Sequence, residues 1–331
     1  MILKSLQAGR AFAALVVVVH HAAQGAEAFV GAGPAWGNAL AELGYLGVDF
    51  FFVLSGFIIF YTSQERTVDV PRFLLRRLIR VFVPYLPIAL GLIALYLTLP
   101  SLSAGAREWG WLPSLTLLPS HEAPALSVAW TLQHELVFYL LFAALIFVRR
   151  VAVGLWLWST MIVLAWVFDL NGDRPLSILL GQINLEFGMG VLGAMAVSRK
   201  WPVPSMALIG AVAVFVVAFV AFGADRSLSV LIGAAVACLL VPICWAERDG
   251  SLRVAETLVV LGNASYAIYL IHNPLISVVS RAVGGVSDSW WLAMAVSLGA
   301  SIGCGLAYHF IYERPALKWV GGLGRHRLRA A

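Results

Sequence analysis

Ten apolar runs limit what this chain can fold into. They lie near residues 8–26, 44–61, 84–99, 128–148, 151–168, 176–197, 204–222, 228–245, 263–282 and 290–312. A helix crossing a bilayer core needs roughly 20 predominantly apolar residues, and each run approaches that length. The shortest, 84–99, is completed by the apolar end of the segment before it. Composition points the same way: 61% of the residues are hydrophobic and 12% charged, with a mean hydropathy of +0.90. Soluble domains are about half apolar and about a quarter charged, so this much apolar surface calls for lipid as solvent. The expected fold is an all-α polytopic membrane protein, a bundle of about ten transmembrane helices. It forms one integral domain over residues 1–331, with core motifs over about 6–319 and a basic tail at 320–331. The longest outside loop, roughly 100–127, is too short for a separate soluble domain.

Basic residues orient the bundle. With the N-terminus in the cytoplasm, only Arg107, Arg174, Arg226 and Arg281 of the 22 Lys and Arg fall outside. The others, Arg66 and Arg329 among them, lie on inside segments or inside helix ends, as the positive-inside rule requires. Both termini are then cytoplasmic, in agreement with an even number of spans. The net charge of +5 does not indicate nucleic acid, because the basic residues flank apolar runs and no nucleic-acid motif is present. Residues 70–83 form a basic amphipathic segment that reads as a helix lying on anionic lipid. Lys4, Arg10 and AEA at 26–28 have the outline of a signal peptide. Against that reading, His20 and His21 interrupt its apolar stretch, and cleavage would leave an odd number of spans. Cys238, Cys244 and Cys304 have no metal or redox spacing and read as packing residues.

Ionisable groups at membrane depth are costly, so each is a functional candidate: Arg10, His20, His21, Asp49, His134, Glu135, Glu186, His272, His309 and Glu313. Arg10 and His21 are eleven residues apart, which is three helical turns plus roughly 20° and a rise of about 16 Å. They share a face, Arg10 near the cytoplasmic end and His21 deep in the bilayer, while His20 points about a quarter turn away. The plainer reading is that the histidines bond other helices and hold the bundle together. Asp49 opens the second run as a water-facing carboxylate or as the partner of a His or Arg. Ser55 is not a nucleophile elbow, since Val53 stands where a glycine is needed. HELVF is not a zinc motif, since Phe138 stands where a histidine is needed. Ser265, Tyr269 and His272 share one helical face, and Pro274 frees a carbonyl beside them. His309 and Glu313, at i and i+4, read as a mutual pair with Arg314 at the interface.

Together these motifs resemble the membrane acyltransferase 3 family, especially the branch that O-acetylates exopolysaccharides and related glycans. LQAGRAFAALVVVVHHA resembles its first helix, with Arg, ten residues, then His, a spacing that selects His21. GYLGVDFFFVLSGFII, FLLRRLIRVFVPY (73–85) and SVAWTLQHELVFYLLF resemble its second-helix, basic cytoplasmic and tryptophan-to-glutamate blocks, with Glu135 at the glutamate position. LEFGMGVLGAM (185–195), NASYAIYLIHNPLI (263–276) and YERPALKW (312–319) resemble its later blocks. The doubled histidine and His134 beside Glu135 depart from the pattern.

The resemblance implies a multi-pass enzyme of the bacterial inner membrane that moves an acyl group, acetyl by preference, from cytoplasmic acyl-CoA to a hydroxyl of a glycan or lipid-linked sugar. His21 would act as general base or carry the acyl group briefly, a task that suits histidine. Glu135 or Asp49 would orient it and His20 would assist. Arg10, Arg76, Arg77 and Arg80 would bind the phosphate-bearing donor, since guanidinium groups grip phosphate bidentately. Trp130, His134, Tyr269 and His272 are the substrate-binding candidates. Acetyl-CoA is the only cosubstrate expected; a thioester carries its own driving force, so no metal is needed. The competing class is a proton-coupled transporter, which midplane His and Glu would also suit, although no internal repeat accompanies them. A scaffold without activity would leave the Arg-to-His spacing unexplained.

Overall fold

The computed structural model describes residues 3–63, 68–99, 108–170, 172–217 and 229–327. Arg66, Arg107, Arg226 and Arg329, the first part of the 100–127 loop and the end of the 204–222 run lie outside the described residues. Within them the chain is helical and contains no strand. The helices are Lys4–Phe29 (α1), Ala35–Glu42 (α2), Leu46–Thr62 (α3), Val70–Thr98 (α4), Trp111–Thr116 (α5), Trp130–Phe147 (α6) and Val151–Val167 (α7). There follow Leu176–Leu179 (α8), Leu185–Arg199 (α9), Ser205–Val217 (α10), Ser229–Arg248 (α11), Glu256–Gly284 (α12), Trp290–Tyr308 (α13) and Arg314–Arg327 (α14).

Among the described residues each expected apolar run falls on a helix, although 176–197 is broken by a 3₁₀ turn at Gln182–Asn184 between α8 and α9. Seven stretches among the described residues are long and apolar enough to cross a membrane. Three of the expected runs fall short of that standard. α7 is a shorter apolar helix, α10 is described for only 13 residues, and α12 has the length but carries Asn263, His272 and Asn273.

The basic segment at 70–83 is not a separate helix on the lipid surface. It continues without a break through Pro84 and Pro87 into α4, a helix of 29 residues started by the Asp69 carboxylate, which accepts from the Arg72 N–H at 3.1 Å. A proline inside a helix leaves the carbonyl four residues earlier without its donor. For Pro87 that carbonyl is Val83, and the Tyr312 hydroxyl donates to it at 3.3 Å. Tyr308 donates to the Pro84 carbonyl at 2.7 Å and Tyr266 to the Val81 carbonyl at 3.0 Å. Tyrosines from α12, α13 and the turn after it thus carry α4 through its two prolines.

Polarity runs inside out compared with a soluble protein. Phe147, Trp156, Met206 and Ile311 are exposed, whereas Asp49, His134, Glu186, His272 and Glu313 are buried. Lipid gives no hydrophobic drive for helices to associate, so contact depends on close approach and on interhelical hydrogen bonds. Two glycine contacts supply the approach. A Cβ at Gly262 of α12 would stand 2.0 Å from the Gln7 carbonyl oxygen of α1. A Cβ at Gly190 of α9 would stand 2.0 Å from the Val53 carbonyl oxygen of α3. The start of α1 is capped from outside: the Glu247 carboxylate of α11 accepts from the Lys4 and Ser5 N–H groups at 2.7 and 2.8 Å. α1 runs on through AEA to Phe29, with Ala22, Ala23 and Ala26 buried, so the segment read as an alternative signal peptide is packed into the bundle. Of the cysteines, Cys244 is buried and Cys238 partly so, but Cys304 is exposed and is not a core packing residue.

Candidate active site

The site is built along one stripe of α1 and one of α12. Arg10 and His21 do share a face, and that face meets the Ser265–Tyr269–His272 face of α12. The Arg10 Nε–H donates to Ser265 Oγ at 3.2 Å, and His21 Nδ1 lies 3.2 Å from His272 Nε2. The His21 and His272 ring centroids are 4.9 Å apart. Their bonds assign the protons. His272 Nδ1 faces the Tyr269 carbonyl at 2.6 Å and must donate, which leaves His272 Nε2 as an acceptor. His21 Nδ1 faces that nitrogen and the Val17 carbonyl at 3.0 Å, both acceptors, so Nδ1 carries the proton and Nε2 is the basic nitrogen. His20 donates instead to the Ala41 carbonyl at 2.9 Å and anchors α2.

Two cavities that share lining residues lie near this pair; His21 and His272 line neither, and Tyr269 stands between His272 and the inner one. The inner one, about 120 Å³, is lined by Arg10, Ser55, Glu135, Tyr139, Tyr266 and Tyr269 among others. Tyr269 forms part of its wall, and the Tyr269 and His272 rings are 5.5 Å apart. The outer cavity is larger, about 1040 Å³, and its cations are Arg10, Arg77, Arg80, Arg314 and Lys318. Arg10, Arg77, Arg80 and Ile58 line both, which makes them the neck between the two.

The sequence-derived candidates divide on this frame. Arg77 and Arg80 face the cavities; Arg76, on the outer side of α4, is exposed and lines neither. Arg77 donates to Thr62 Oγ1 at 3.0 Å and lies over the Phe73 and Tyr139 rings. Arg80 pairs at 2.5 Å with Glu313, whose other oxygen accepts from His309 Nδ1 at 2.7 Å. The His309–Glu313 pair therefore forms as expected, but inside a π-helical turn and with Arg80 as a third member. Glu135 faces the inner cavity, where it accepts from Ser55 Oγ at 3.2 Å and from the Tyr139 hydroxyl. Its hydrogen bonds do not reach His21, so the direct orienting contact anticipated between them is not formed. Asp49 is buried in the first turn of α3 rather than facing water. His134 points away from the cavity: its Nδ1–H donates to Asn184 Oδ1 at 2.8 Å, and its ring packs on Phe52 and Trp130. Trp130 lines neither cavity. Tyr269 does, held by the Thr131 hydroxyl at 2.8 Å and the Val128 carbonyl at 3.1 Å.

Residues 3–309 match the model of a single family, an acyltransferase domain, the acyltransferase 3 family. The chain is a member of the acyltransferase 3 family. It is 31% identical over 299 residues to the exopolysaccharide production protein ExoZ of Rhizobium meliloti (strain 1021), covering 83% of this chain and 90% of that protein. It is also 28% identical over 373 residues to the acyltransferase MdmB of Streptomyces mycarofaciens, covering 96% of this chain and 92% of that one. No solved structure matches it significantly. The protein is a multi-pass membrane acyltransferase, and the linked cavities are the candidate seat of its chemistry. Within that candidate site, Ser55, Tyr139 and Tyr266 were not singled out as site residues from the sequence, although a neighbouring tyrosine satisfying Glu135 was one of the readings it allowed. The Glu135–Tyr139 spacing of four was the one available signal. Ser55 and Tyr266 reach the cavity only because α3 and α12 meet α6 and α4 there.

Proposed function

We propose that this acyltransferase moves an acetyl group from cytoplasmic acetyl-CoA to a hydroxyl of an exported or lipid-linked glycan, in the bacterial inner membrane, with both termini cytoplasmic. One integral domain carries the reaction. The observation behind the reading is the pair of linked cavities, cationic at the mouth and narrowing past Arg10 to a tyrosine wall backed by the His272–His21 pair. Cations suit the phosphates of a CoA thioester, and the narrower chamber suits its acyl end. The similarity to an exopolysaccharide production protein favours a glycan acceptor.

In this scheme His21 Nε2 takes the proton of the acceptor hydroxyl as its oxygen attacks the thioester carbonyl. The tetrahedral adduct collapses, the C–S bond breaks, and the departing thiolate takes the proton back from His21. The products are an O-acyl ester and free CoA thiol. His272 holds the His21 tautomer, and Arg10 stands at the neck beside the thioester end of the donor. The Ser55, Glu135 and Tyr139 cluster forms the polar wall of the chamber.

Membranes bearing the wild-type chain or His21→Ala, supplied with acetyl-labelled acetyl-CoA, test this. Label should enter an envelope glycan or lipid fraction with wild type and fall at least a hundredfold with His21→Ala, the scale of losing a general base. Full activity in well-inserted His21→Ala protein would end the His21 assignment. Movement of unmodified substrate into vesicles without acyl-CoA consumption would favour a carrier.

A further inference from the structure

We propose that Arg314 and Lys318, on the first turns of α14, bind the nucleotide phosphates of the acyl donor. The inference rests on the acyl-CoA reading above and extends it to α14, whose first residues belong to the YERPALKW block. Both side chains line the outer cavity and neither lines the inner one, whereas Arg10, Arg77 and Arg80 line both. A donor whose thioester reaches the inner chamber must thread its pantetheine arm past those three arginines. Its phosphates then come to rest in the mouth, beside Arg314 and Lys318.

Charge supports the same placement. Among the described residues no carboxylate lines the outer cavity, and five cations do. Of the three neck arginines, Arg80 has an acidic partner, Glu313, while Arg10 and Arg77 bond neutral hydroxyls. Positive charge gathered on one recess, with no acid among its described lining residues, is complementary to a compact polyanion, and guanidinium and ammonium groups bind phosphate through charge-assisted bonds. The position of α14 is set before any ligand arrives. The π turn that leads into it is fastened to α4 by the Arg80–Glu313–His309 triad and by the Tyr308 and Tyr312 hydroxyls on the Pro84 and Val83 carbonyls. A phosphate headgroup of an anionic lipid has the same chemistry as a nucleotide phosphate, so the test must separate the two.

The full chain in phosphatidylcholine nanodiscs, where no anionic headgroup competes, is titrated with acetyl-CoA and with acetyl-3′-dephospho-CoA. Arg314→Gln/Lys318→Gln is expected to weaken acetyl-CoA binding by about 30-fold or more, since removing each charge-assisted bond to phosphate weakens binding roughly tenfold. The same change should weaken the dephospho compound less, and Arg314→Lys/Lys318→Arg should restore most of the affinity. Both residues are exposed, so the variants should fold; Lys318→Gln alone, expected near tenfold, serves if the double variant does not. Wild type that binds acetyl-CoA with a double variant within about twofold of it would overturn the proposal and leave the donor reading standing. No binding of acetyl-CoA by wild type would overturn both. A loss of affinity confined to nanodiscs containing phosphatidylglycerol would assign the two cations to lipid and overturn the proposal as well.

Discussion

At the scale of the residue, the proposed mechanism separates groups that would perform the reaction from groups that would hold them. His21 Nδ1 is committed to Val17 and His272, which leaves Nε2 as the nitrogen for the proposed base role. Replacing His272 with Phe keeps a ring of similar size but removes the acceptor that fixes His21. Turnover is expected to drop about tenfold with the donor KM unchanged, because the base is still present but less well aimed; steady-state kinetics on purified protein measure both, and an unaltered kcat would reduce His272 to packing. His134 should behave in the opposite way. His134→Ala leaves Asn184 Oδ1 buried without its donor, at a cost of about 1–3 kcal/mol. The variant should melt earlier while its activity per folded molecule stays within about threefold of wild type.

At the scale of the element, α4 and the turn before α14 work as one unit. Glu313 is fully buried, and Arg80 is its cationic partner. Arg80 is itself about a third exposed, but removing it leaves the buried Glu313 carboxylate without its cation, so Arg80→Ala should lose thermal stability and yield in detergent. Arg77 rests on a hydroxyl and two rings instead. Arg77→Ala should stay folded and raise the donor KM by about tenfold. Comparing melting curves with donor KM separates the two arginines. The α1–α12 contact makes a further demand. Gly262→Val would drive a side chain into the Gln7 backbone, at a cost of about 1–3 kcal/mol or more. It would also shift the register that brings His21 to His272, so activity should fall further than the melting temperature alone accounts for.

At the scale of the whole molecule, the bundle places polar chemistry inside and lipid-facing residues outside, and the connections between helices fix which end of the cavity opens where. The α11–α12 connection carries Ser251 and the α12–α13 connection carries Ser287. In a background without cysteine, Ser251→Cys should be modified by a membrane-impermeant thiol reagent only from the cytoplasmic side, and Ser287→Cys only from the outer side. Labelling of both positions from one side would contradict the proposed orientation and move the cation-lined mouth away from cytoplasmic acyl-CoA.

Much of this was legible in the chain because helix periodicity is local. Apolar runs reported their own helices, and an eleven-residue interval placed Arg10 and His21 on one face whatever packs against it. The common face of Ser265, Tyr269 and His272 was legible for the same reason. The tertiary structure alone decided which faces meet: Arg10 with Ser265, 255 residues away, and His21 with His272, 251 away. It turned Arg77 and Arg80 inward and left Arg76 outside, tied Glu135 to Ser55 rather than to His21, and capped α1 with a carboxylate from α11. Those outcomes depend on where backbones come close, as at Gly262 and Gly190, and on hydrogen bonds between distant segments. No window of sequence contains both partners, so the single-helix pattern specifies each stripe but not its neighbour.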